Sequence, residues 1–458
     1  MLAACVDAPP TASPPTAVPP LLPAIVAAWV TPSPYQALGA VVSVRVEHAD
    51  SVAVRFHLAD AEPADSLTPA VPVLADSADI PVLGLLPARP YELRAIAYGK
   101  GGSVVGEPLA LTTDTLPSDL PGFVAGGTDP SPGLVVFAAG RYGLAIDNTG
   151  RVVWYRGFTN GPGLNFQVQP TGRYTVRPPT PDPNDREPWI ELDALGNVTR
   201  TFNCAGGLLA RFHDLIEQDD GAYWIMCDET RTMDLSNVGG LTNAQVTGTV
   251  IQHVSASGEL LFQWSPFDHF AITDVDAASR AGAVVNWTHG NALVLDTDGN
   301  LLVSFRSLSE ITKIDTRTGD VLWRLGGLRN QFTFTGTSMP AFARQHGLRL
   351  TGAGDLLLLD NLGDPQASRA ERYRLDASQH AAQLIASYAS SPAVTAQLGG
   401  TTQELPGGRT LVAYGNGGRV EEYDAADRVV WRIEGNPGYI FRAQRIHSLY
   451  HPGVDPAR

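Results

Sequence analysis

Apolar and polar residues alternate at a period of two along much of the chain, as in strands with one buried face. The runs VSVRV at residues 42–46 and VAVRF at residues 52–56 are clear examples. Many glycines and prolines separate such runs, which fits short strands joined by tight turns. The pattern therefore predicts an all-β protein.

The alternating region at residues 24–114 ends near the segment LPARPYELRA at residues 86–95. This segment, with Tyr91 at its centre, resembles the tyrosine corner of fibronectin type III and related sandwiches, where a hydroxyl pins a strand crossing. We expect residues 24–114 to form a small immunoglobulin- or fibronectin-like β-sandwich. The turn-rich segment that follows it ends at residue 122 and predicts a linker.

Beyond residue 122 a unit recurs that is built around an Ile/Val/Tyr–x–Asp strand, a turn with Gly, and a second strand ending in an aromatic residue. Its six copies occupy residues 144–154, 190–196, 251–264, 311–323, 373–376 and 420–431. A second hairpin precedes each copy, so each repeat has four strands, and Asp-Gly turns support the hairpins. Copies spaced by roughly 45 to 62 residues predict a six-bladed β-propeller over residues 122–458. Residues 441–446 are expected to close the ring against the first blade.

The net charge of the chain limits the kinds of molecule that it is expected to bind. The chain has 32 basic and 47 acidic residues, a net charge of −15, which repels nucleic acid and anionic lipid headgroups. A small anionic substrate therefore needs a local cluster of Arg and His. No apolar run approaches the roughly 18 residues of a membrane span.

The N-terminal residues MLAAC resemble a bacterial lipobox, in which Cys5 is lipidated after signal cleavage, although no basic and apolar region precedes it. A start site placed too far downstream explains this, and a chance match is the alternative. Residues 1–23 are Pro-rich and predict an extended tether. We expect an exported protein, periplasmic or anchored to a membrane through Cys5. Cys204 and Cys227 then either form a disulfide or remain buried thiols.

Three histidines occupy matching positions in consecutive repeats. His213, His289 and His346 each stand near the start of a first strand, and in a propeller these strands line the central channel. Arg306 follows a returning strand and is expected at the same mouth of the channel as His289. One His at such a position is usually structural, but three at equivalent positions predict a functional site. His447 is undecided.

A cluster of three histidines is also a candidate for zinc or another metal. No acidic residue adjoins these histidines except Asp214, and Arg306 disfavours a divalent ion. We therefore expect no metal and no cofactor. Imidazoles with a guanidinium group are better suited to a tetrahedral oxyanion, such as a sulfuryl or phosphoryl group.

Several segments resemble the bacterial arylsulfate sulfotransferases, over roughly residues 120 to 450. They are NWTHGNAL at 286–293, SFRSLSEI at 304–311, KID at 313–315, GDVLWRLGG at 319–327, QHG at 345–347 and DN at 360–361. The resemblance implies that His346 is a nucleophile that becomes sulfurylated, and that His213, His289 and Arg306 bind the sulfuryl oxygens.

The resemblance extends to two further residues and to the reaction. Asn291 matches a substrate-binding position, and Thr402 matches another only loosely, a plain turn residue being the alternative. The implied reaction is ping-pong transfer from a phenolic sulfate ester to a phenol without a nucleotide sulfate donor, in a possible homodimer. No Cys pair lies between Trp323 and His346, where some members carry a disulfide. The loop between these two residues is then stabilised by other contacts, or the pocket for the acceptor phenol differs from that of those members.

Two other interpretations remain open. The first is a non-catalytic, surface-anchored propeller that serves in binding or adhesion. The second is a hydrolase in which water replaces the phenol, and dependence of the rate on an acceptor distinguishes it. A quinone-dependent dehydrogenase is disfavoured, because its docking repeats and a calcium-binding acidic cluster are not seen in the sequence.

Overall fold

The structure, a computed structural model, describes residues 20–62, 64–179, 187–363 and 367–452. These residues form an all-β protein with a few short helical turns, which confirms the predicted fold class at that level. Cys5 and nearly all of the Pro-rich segment lie outside the described residues. Within the described part of the chain, no helix has the length and apolar character needed to span a membrane.

The chain divides into two compact units. Unit 1 comprises residues up to Pro32 with Ala40–Val82 and Ala88–Thr113, and unit 2 comprises Ser33–Gly39, Leu83–Pro87 and the chain from Asp114 onward.

Unit 1 contains two antiparallel sheets. Its strands are β1 (Ala24–Pro32), β2 (Gly39–Glu47), β3 (Ser51–Leu58), β4 (Ser66–Leu67), β5 (Val71–Pro72), β6 (Ser77–Leu83), β7 (Pro90–Gly99), β8 (Gly102–Val105) and β9 (Leu109–Thr112). One sheet has the order β1-β2-β6, and the other has the order β4-β3-β7-β8 with β5 and β9 attached. Alternate residues of β2 and β7 are buried, as the sequence pattern predicts. Tyr91 is among them and packs against Phe56.

Unit 2 is built from short antiparallel strands. They are β10 (Ala125–Gly126), β11 (Leu134–Ala139), β12 (Tyr142–Ile146), β13 (Val152–Gly157), β14 (Phe166–Val168), β15 (Tyr174–Val176), β16 (Trp189–Leu192), β17 (Val198–Phe202), β18 (Leu209–Glu217), β19 (Tyr223–Met233), β20 (Ala244–Val254), β21 (Leu260–Trp264), β22 (Val284–Asn286), β23 (Gly290–Leu295), β24 (Leu301–Phe305), β25 (Glu310–Ile314), β26 (Val321–Gly326), β27 (Thr333–Thr335), β28 (His346–Leu350), β29 (Leu356–Asp360), β30 (Arg369–Asp376), β31 (Ala381–Ala389), β32 (Thr401–Leu405), β33 (Arg409–Ala413), β34 (Val420–Tyr423), β35 (Val429–Ile433) and β36 (Ala443–Ile446). The helices are α1 (Pro266–His269) and α2 (Ala277–Arg280), with 3-10 turns at Ala205–Gly207, Ser236–Val238 and Ile272–Asp274.

Six sheets follow one another along unit 2. Five of them contain four consecutive strands each, namely β14 to β17, β18 to β21, β23 to β26, β28 to β31 and β32 to β35. The remaining sheet joins β11, β12 and β13 to β36, which pairs antiparallel with β11 so that Ile446 lies opposite Leu134. The six predicted repeat copies begin on the third strands β12, β16, β20, β25, β30 and β34. The first strands β18, β23, β28, β32 and β36 contact one another in turn.

Aromatic residues near the ends of the fourth strands connect neighbouring sheets. Trp154 of β13 stacks on Tyr174 of the next sheet with ring centroids 4.7 Å apart, and its indole N–H donates to the carbonyl oxygen of Ala194. Trp264 of β21 packs similarly against Phe305 of β24. A large ring with one polar atom suits an interface between sheets, where the apolar body is buried and the N–H can reach a carbonyl, as that of Trp154 does. The aromatic ends of the repeat are therefore packing residues.

Cys204 and Cys227 form a disulfide with their Cα atoms 6.1 Å apart, which decides between the two alternatives for this pair. Cys227 lies opposite Ala210 where β19 pairs with β18. The bond therefore ties the segment before β18 to β19, close to His213.

We expect the double variant Cys204→Ser/Cys227→Ser to lose about 3 kcal/mol of unfolding free energy, the usual effect of opening a loop of this size. The two cysteines are 23 positions apart in sequence, so the disulfide restricts the unfolded chain considerably. Urea unfolding of both proteins measures the difference. A reductant should destabilise the wild-type protein and leave the double variant unchanged; equal sensitivity of both would contradict the assignment.

Candidate active site

Three imidazoles meet in unit 2. His289 precedes β23 and His346 opens β28, while His213 lies inside β18, where the pairing with β19 shifts between Ala210 and Leu215. One ring nitrogen of each histidine lies within 4.8 Å of those of the other two. The structure thus brings together the three histidines named from the sequence. The expected position of His213 at a strand start was wrong, because β18 begins at Leu209 and is interrupted locally at His213.

His213 and His289 are in direct contact. Their Nε2 atoms are 3.1 Å apart, and the side-chain nitrogen of Asn286 lies 2.6 Å from Nδ1 of His289. With Asn286 donating to His289, the Nε2–H of His289 donates to Nε2 of His213, whose own proton then lies on Nδ1. That Nδ1 is buried, and the described residues offer it no hydrogen-bond partner. His213 thus carries a free donor.

Both of these imidazoles are neutral. Burial lowers the pKa of His213 well below its ordinary value, and the neighbouring His289 and Arg211 act in the same direction. Burial lowers the pKa of His289 likewise, followed by the charge of Arg211. Desolvation and nearby cations both disfavour an imidazolium ion.

His346 is held by its Nδ1 atom, which lies 3.1 Å from the carbonyl oxygen of Arg344 and 3.1 Å from Oδ1 of Asn361. Both partners are acceptors, so Nδ1 carries the proton and Nε2 keeps its lone pair. Burial lowers the pKa of His346 to about 4, against the opposing effect of the Asn361 hydrogen bond. At neutral pH the ring is therefore an uncharged imidazole with one free nitrogen.

Arg306 supplies positive charge beside the histidines. Its backbone N–H donates to the carbonyl oxygen of His289 at 3.0 Å, and Nη2 donates to the carbonyl oxygen of Gln397 at 2.9 Å. Its buried Nε has no hydrogen-bond partner among the described residues. No carboxylate in the described part of the chain forms an ion pair with it, and its charge depresses the pKa of His213 and His346. This side chain is suited to an anionic ligand.

Two other residues named from the sequence lie close behind the cluster. Asn291 is buried, its Nδ2 donates to the carbonyl oxygen of Gln345 at 2.6 Å, and its Oδ1 has no partner within the described residues. Thr402 lies in β32, so the alternative of a plain turn residue was wrong, and its hydroxyl donates to the carbonyl oxygen of Gly347 at 3.1 Å. Both side chains hold the backbone on either side of His346.

The sequence argument did not identify the residues that support His213. Arg442 is buried, and its guanidinium group donates to Oδ1 of Asn165 at 2.7 Å and to Oδ1 of Asp214 at 3.1 Å. Phe441 packs its ring against His213 and His346, with centroids 5.8 Å and 6.3 Å apart. Both residues lie just before β36, in the segment at residues 441–446 that was predicted to close the ring. That prediction was the signal by which they could have been found.

A family model for arylsulfotransferases (ASST) matches residues 205–436, about half of the chain and the part that contains all three histidines. A search of curated proteins finds no significant match.

Solved structures show weak similarity. A protein of unknown function from Bacteroides caccae has 14% identity and a TM-score of 0.44, covering 68% of this chain and 98% of that chain. A streptogramin B lyase has 14% identity and a TM-score of 0.38, with 68% and 84% covered. A virginiamycin B lyase from Staphylococcus aureus has 11% identity and a TM-score of 0.36, with 68% and 88% covered.

Proposed function

The chain belongs to the arylsulfotransferase (ASST) family, and from this premise we propose that it moves a sulfuryl group from a phenolic sulfate ester to a phenol through a sulfohistidine. One observation carries the proposal: His346 is a neutral imidazole whose Nδ1 proton is fixed by two carbonyl oxygens. Its remaining nitrogen has the lone pair that a nucleophile requires. No nucleotide sulfate donor takes part in this reaction.

In the first half-reaction, Nε2 of His346 attacks the sulfur atom of the donor. An N–S bond forms as the S–O ester bond breaks, and the electron pair leaves on the phenolate oxygen. The ring becomes cationic while its Nδ1 proton stays in place, between the carbonyl oxygen of Arg344 and Oδ1 of Asn361. These two oxygens stabilise the positive charge of the intermediate.

In the second half-reaction, the oxygen of the acceptor phenol attacks sulfur and the N–S bond breaks, which returns a neutral His346. The phenol proton passes to His213 or His289, which are both neutral, on the nitrogen whose lone pair is freed when its hydrogen bond in the resting site opens: Nε2 of His213 or Nδ1 of His289. The proton then leaves to solvent.

Two residues gathered with His346 carry donors that no described residue uses. Arg306 contributes a guanidinium group without a carboxylate partner among the described residues, and His213 contributes its unpartnered Nδ1–H. These groups bind the sulfuryl oxygens, and Asn291 is a further binding residue once its amide turns toward them. One donor of this kind is worth about 2.7 to 4 kcal/mol of barrier in other oxyanion sites.

The proposal also includes the architecture of each unit and the cellular location of the protein. The six sheets of unit 2 form a closed six-bladed propeller over residues 122–458, supported by the successive contacts of the first strands and by the pairing of β36 with β11. Residues 24–114 form an immunoglobulin-like sandwich. The protein is exported, which the disulfide supports because such bonds persist in oxidising compartments. Lipid attachment at Cys5 and a homodimer remain predictions.

The test is sulfuryl transfer from 4-nitrophenyl sulfate to phenol by the purified protein, followed as 4-nitrophenolate release and as phenyl sulfate formation by mass spectrometry. We expect release to depend on the acceptor, with parallel double-reciprocal plots. Protein incubated with the donor alone should gain one sulfuryl group on the peptide that contains His346. Release without an acceptor would indicate a hydrolase, and no release with several phenols would favour the binding-protein alternative.

The pH profile of the donor half-reaction gives a second prediction. Because burial lowers the pKa of His346 to about 4, the ring keeps its lone pair down to acidic pH and loses it as the pH falls through that value. We expect kcat/KM for 4-nitrophenyl sulfate to stay level from about pH 8 to pH 5 and to decline below that. A midpoint near 6.5, the ordinary value for histidine, would contradict the assigned environment.

A further inference from the structure

The amide of Asn361 is fixed in one orientation by the protein. Asn361 follows β29 and is fully buried. Its Nδ2 donates to the carbonyl oxygens of Ala396 at 2.7 Å and Gly399 at 3.1 Å, which uses both amide hydrogens. Turning the amide over would place Oδ1 against two carbonyl oxygens. Its Oδ1 is therefore directed at Nδ1 of His346.

We propose that Asn361 is the positioning residue of the nucleophile: it locks the ring of His346 in the tautomer that has its proton on Nδ1 and a lone pair on Nε2. An imidazole exchanges between two tautomers in water, and only this one presents Nε2 as a nucleophile. The role of Asn361 in the reaction rests on the proposed function, while its control of the ring does not.

The carbonyl oxygens that hold Asn361 belong to residues 396–399, which we call the clamp loop. Between the two, the carbonyl oxygen of Gln397 accepts from Nη2 of Arg306 at 2.9 Å. One short loop therefore positions the residue behind the nucleophile and the cation beside it. A shift of the clamp loop would move both groups together.

The clamp loop is itself held firmly. The hydroxyl of Ser368 donates to the backbone oxygen of Asn361 at 2.8 Å, and the N–H of Ala396 donates to the same hydroxyl at 2.6 Å. Gly399 has a φ of 68°, and a Cβ there would lie 2.8 Å from ring atoms of Tyr439. The left-handed backbone and the lack of space for a Cβ both favour glycine at that position.

The choice of an amide at position 361 has a chemical consequence. The charged and titratable groups that face His346 are Arg306, His213 and His289, while Arg344 contributes its carbonyl oxygen. Among the described residues, no carboxylate hydrogen-bonds to the ring. A neutral acceptor fixes the tautomer and raises the pKa of the ring less than burial lowers it. His346 therefore stays uncharged and leaves readily from sulfur in the second half-reaction.

The test compares Asn361→Asp and Asn361→Ala with Asn243→Asp, a matched change of amide to acid at an exposed position. Proteins labelled with ¹⁵N in histidine report the tautomer and pKa of His346, whose signals are assigned by their loss in His346→Ala. In Asn361→Asp we expect the pKa of the ring to rise by at least about one pH unit, because a carboxylate stabilises the imidazolium form. In Asn361→Ala the carbonyl oxygen of Arg344 is the one acceptor left for the Nδ1 proton, so the fraction of the tautomer with its proton on Nε2 should rise measurably.

The kinetics of the same proteins provide the second measurement. We expect Asn361→Ala to lower kcat by about 10 to 100 fold with a smaller change in KM, as loss of an orienting partner does elsewhere. The acidic limb of the Asn361→Asp profile should move upward with the pKa of its ring, and Asn243→Asp should match the wild type. If neither change at Asn361 alters the tautomer or the pKa of His346, the proposal is wrong. The two proposals can also fail separately. If the changes at Asn361 alter the ¹⁵N signals of His346 but the wild-type protein never transfers sulfuryl groups, the proposed function is wrong and the positioning role of Asn361 is supported.

Circular dichroism and urea unfolding decide whether each variant is folded. Asn361→Asp places a carboxylate against two carbonyl oxygens and is the variant at greater risk of unfolding. Asn361→Ala removes one donor from each of those oxygens but adds no charge, so it keeps the proposal testable.

Discussion

Sulfuryl transfer is expected to fall by about a thousandfold or more in kcat when His346 is replaced by alanine, as when the nucleophile of other covalent catalysts is removed. The reason lies in the geometry of the cluster. His213 and His289 contact each other through Nε2 at 3.1 Å, and Nδ1 of His289 is occupied by Asn286. Of the three imidazoles, only His346 has a ring nitrogen whose lone pair no described residue engages in a hydrogen bond.

Single-turnover release of 4-nitrophenolate is the appropriate measurement for His346→Ala, because it isolates attack on the donor. The matched control is His447→Ala, which removes an exposed imidazole just beyond β36 and should retain full activity. Urea unfolding confirms that both variants are folded. If His346→Ala retained activity within about tenfold of the wild type, another group would have to be the nucleophile.

Arg442→Met is expected to lower the unfolding free energy by about 3 to 5 kcal/mol, the typical result of breaking a buried ion pair from one side. Arg442 and Asp214 have side chains that are 2% and 3% exposed, and their closest N–O distance is 3.1 Å. Methionine retains most of the volume but none of the donors. Asp214 would then keep only the more distant Arg349, at 3.3 Å, as a cationic partner.

Urea unfolding measures this loss, and two comparisons separate its cause. Arg428→Met breaks the surface pair with Asp424 and should leave the unfolding free energy unchanged, because water screens that pair. Adding Asp214→Asn to Arg442→Met should restore part of the stability, since the stranded carboxylate is then neutral. A loss below about 1 kcal/mol in Arg442→Met would show that the pair is not important for folding.

Local patterns in the sequence predicted the parts of the fold that depend on local order. The repeats identified the third strands of all six sheets, and the segment at residues 441–446 that was expected to close the ring contained β36. Equivalent positions in repeated units have equivalent surroundings. For that reason His213, His289, His346 and Arg306 could be named together before their distances were known.

Contacts between distant segments could not be predicted in this way. Arg442 and Asp214 are 228 positions apart, and no spacing rule connects them. The tautomer of His346 depends on how the amide of Asn361 is turned, which two carbonyl oxygens of the clamp loop decide. The displacement of His213 into the interior of β18 results from a shift in strand pairing that leaves no mark in the order of apolar residues.

The pairing of β36 with β11 also determines when the first sheet can be completed while the chain is being synthesised. A ribosome completes β36 about 300 residues after β11, so one edge of the first sheet stays open while that stretch is made. An open edge invites pairing with other chains, which makes the unfinished protein prone to aggregate. A messenger RNA truncated before the codon for Arg442 would yield a chain that lacks both β36 and the residues that support His213. Such a chain would lose its solubility and the geometry of its active site together.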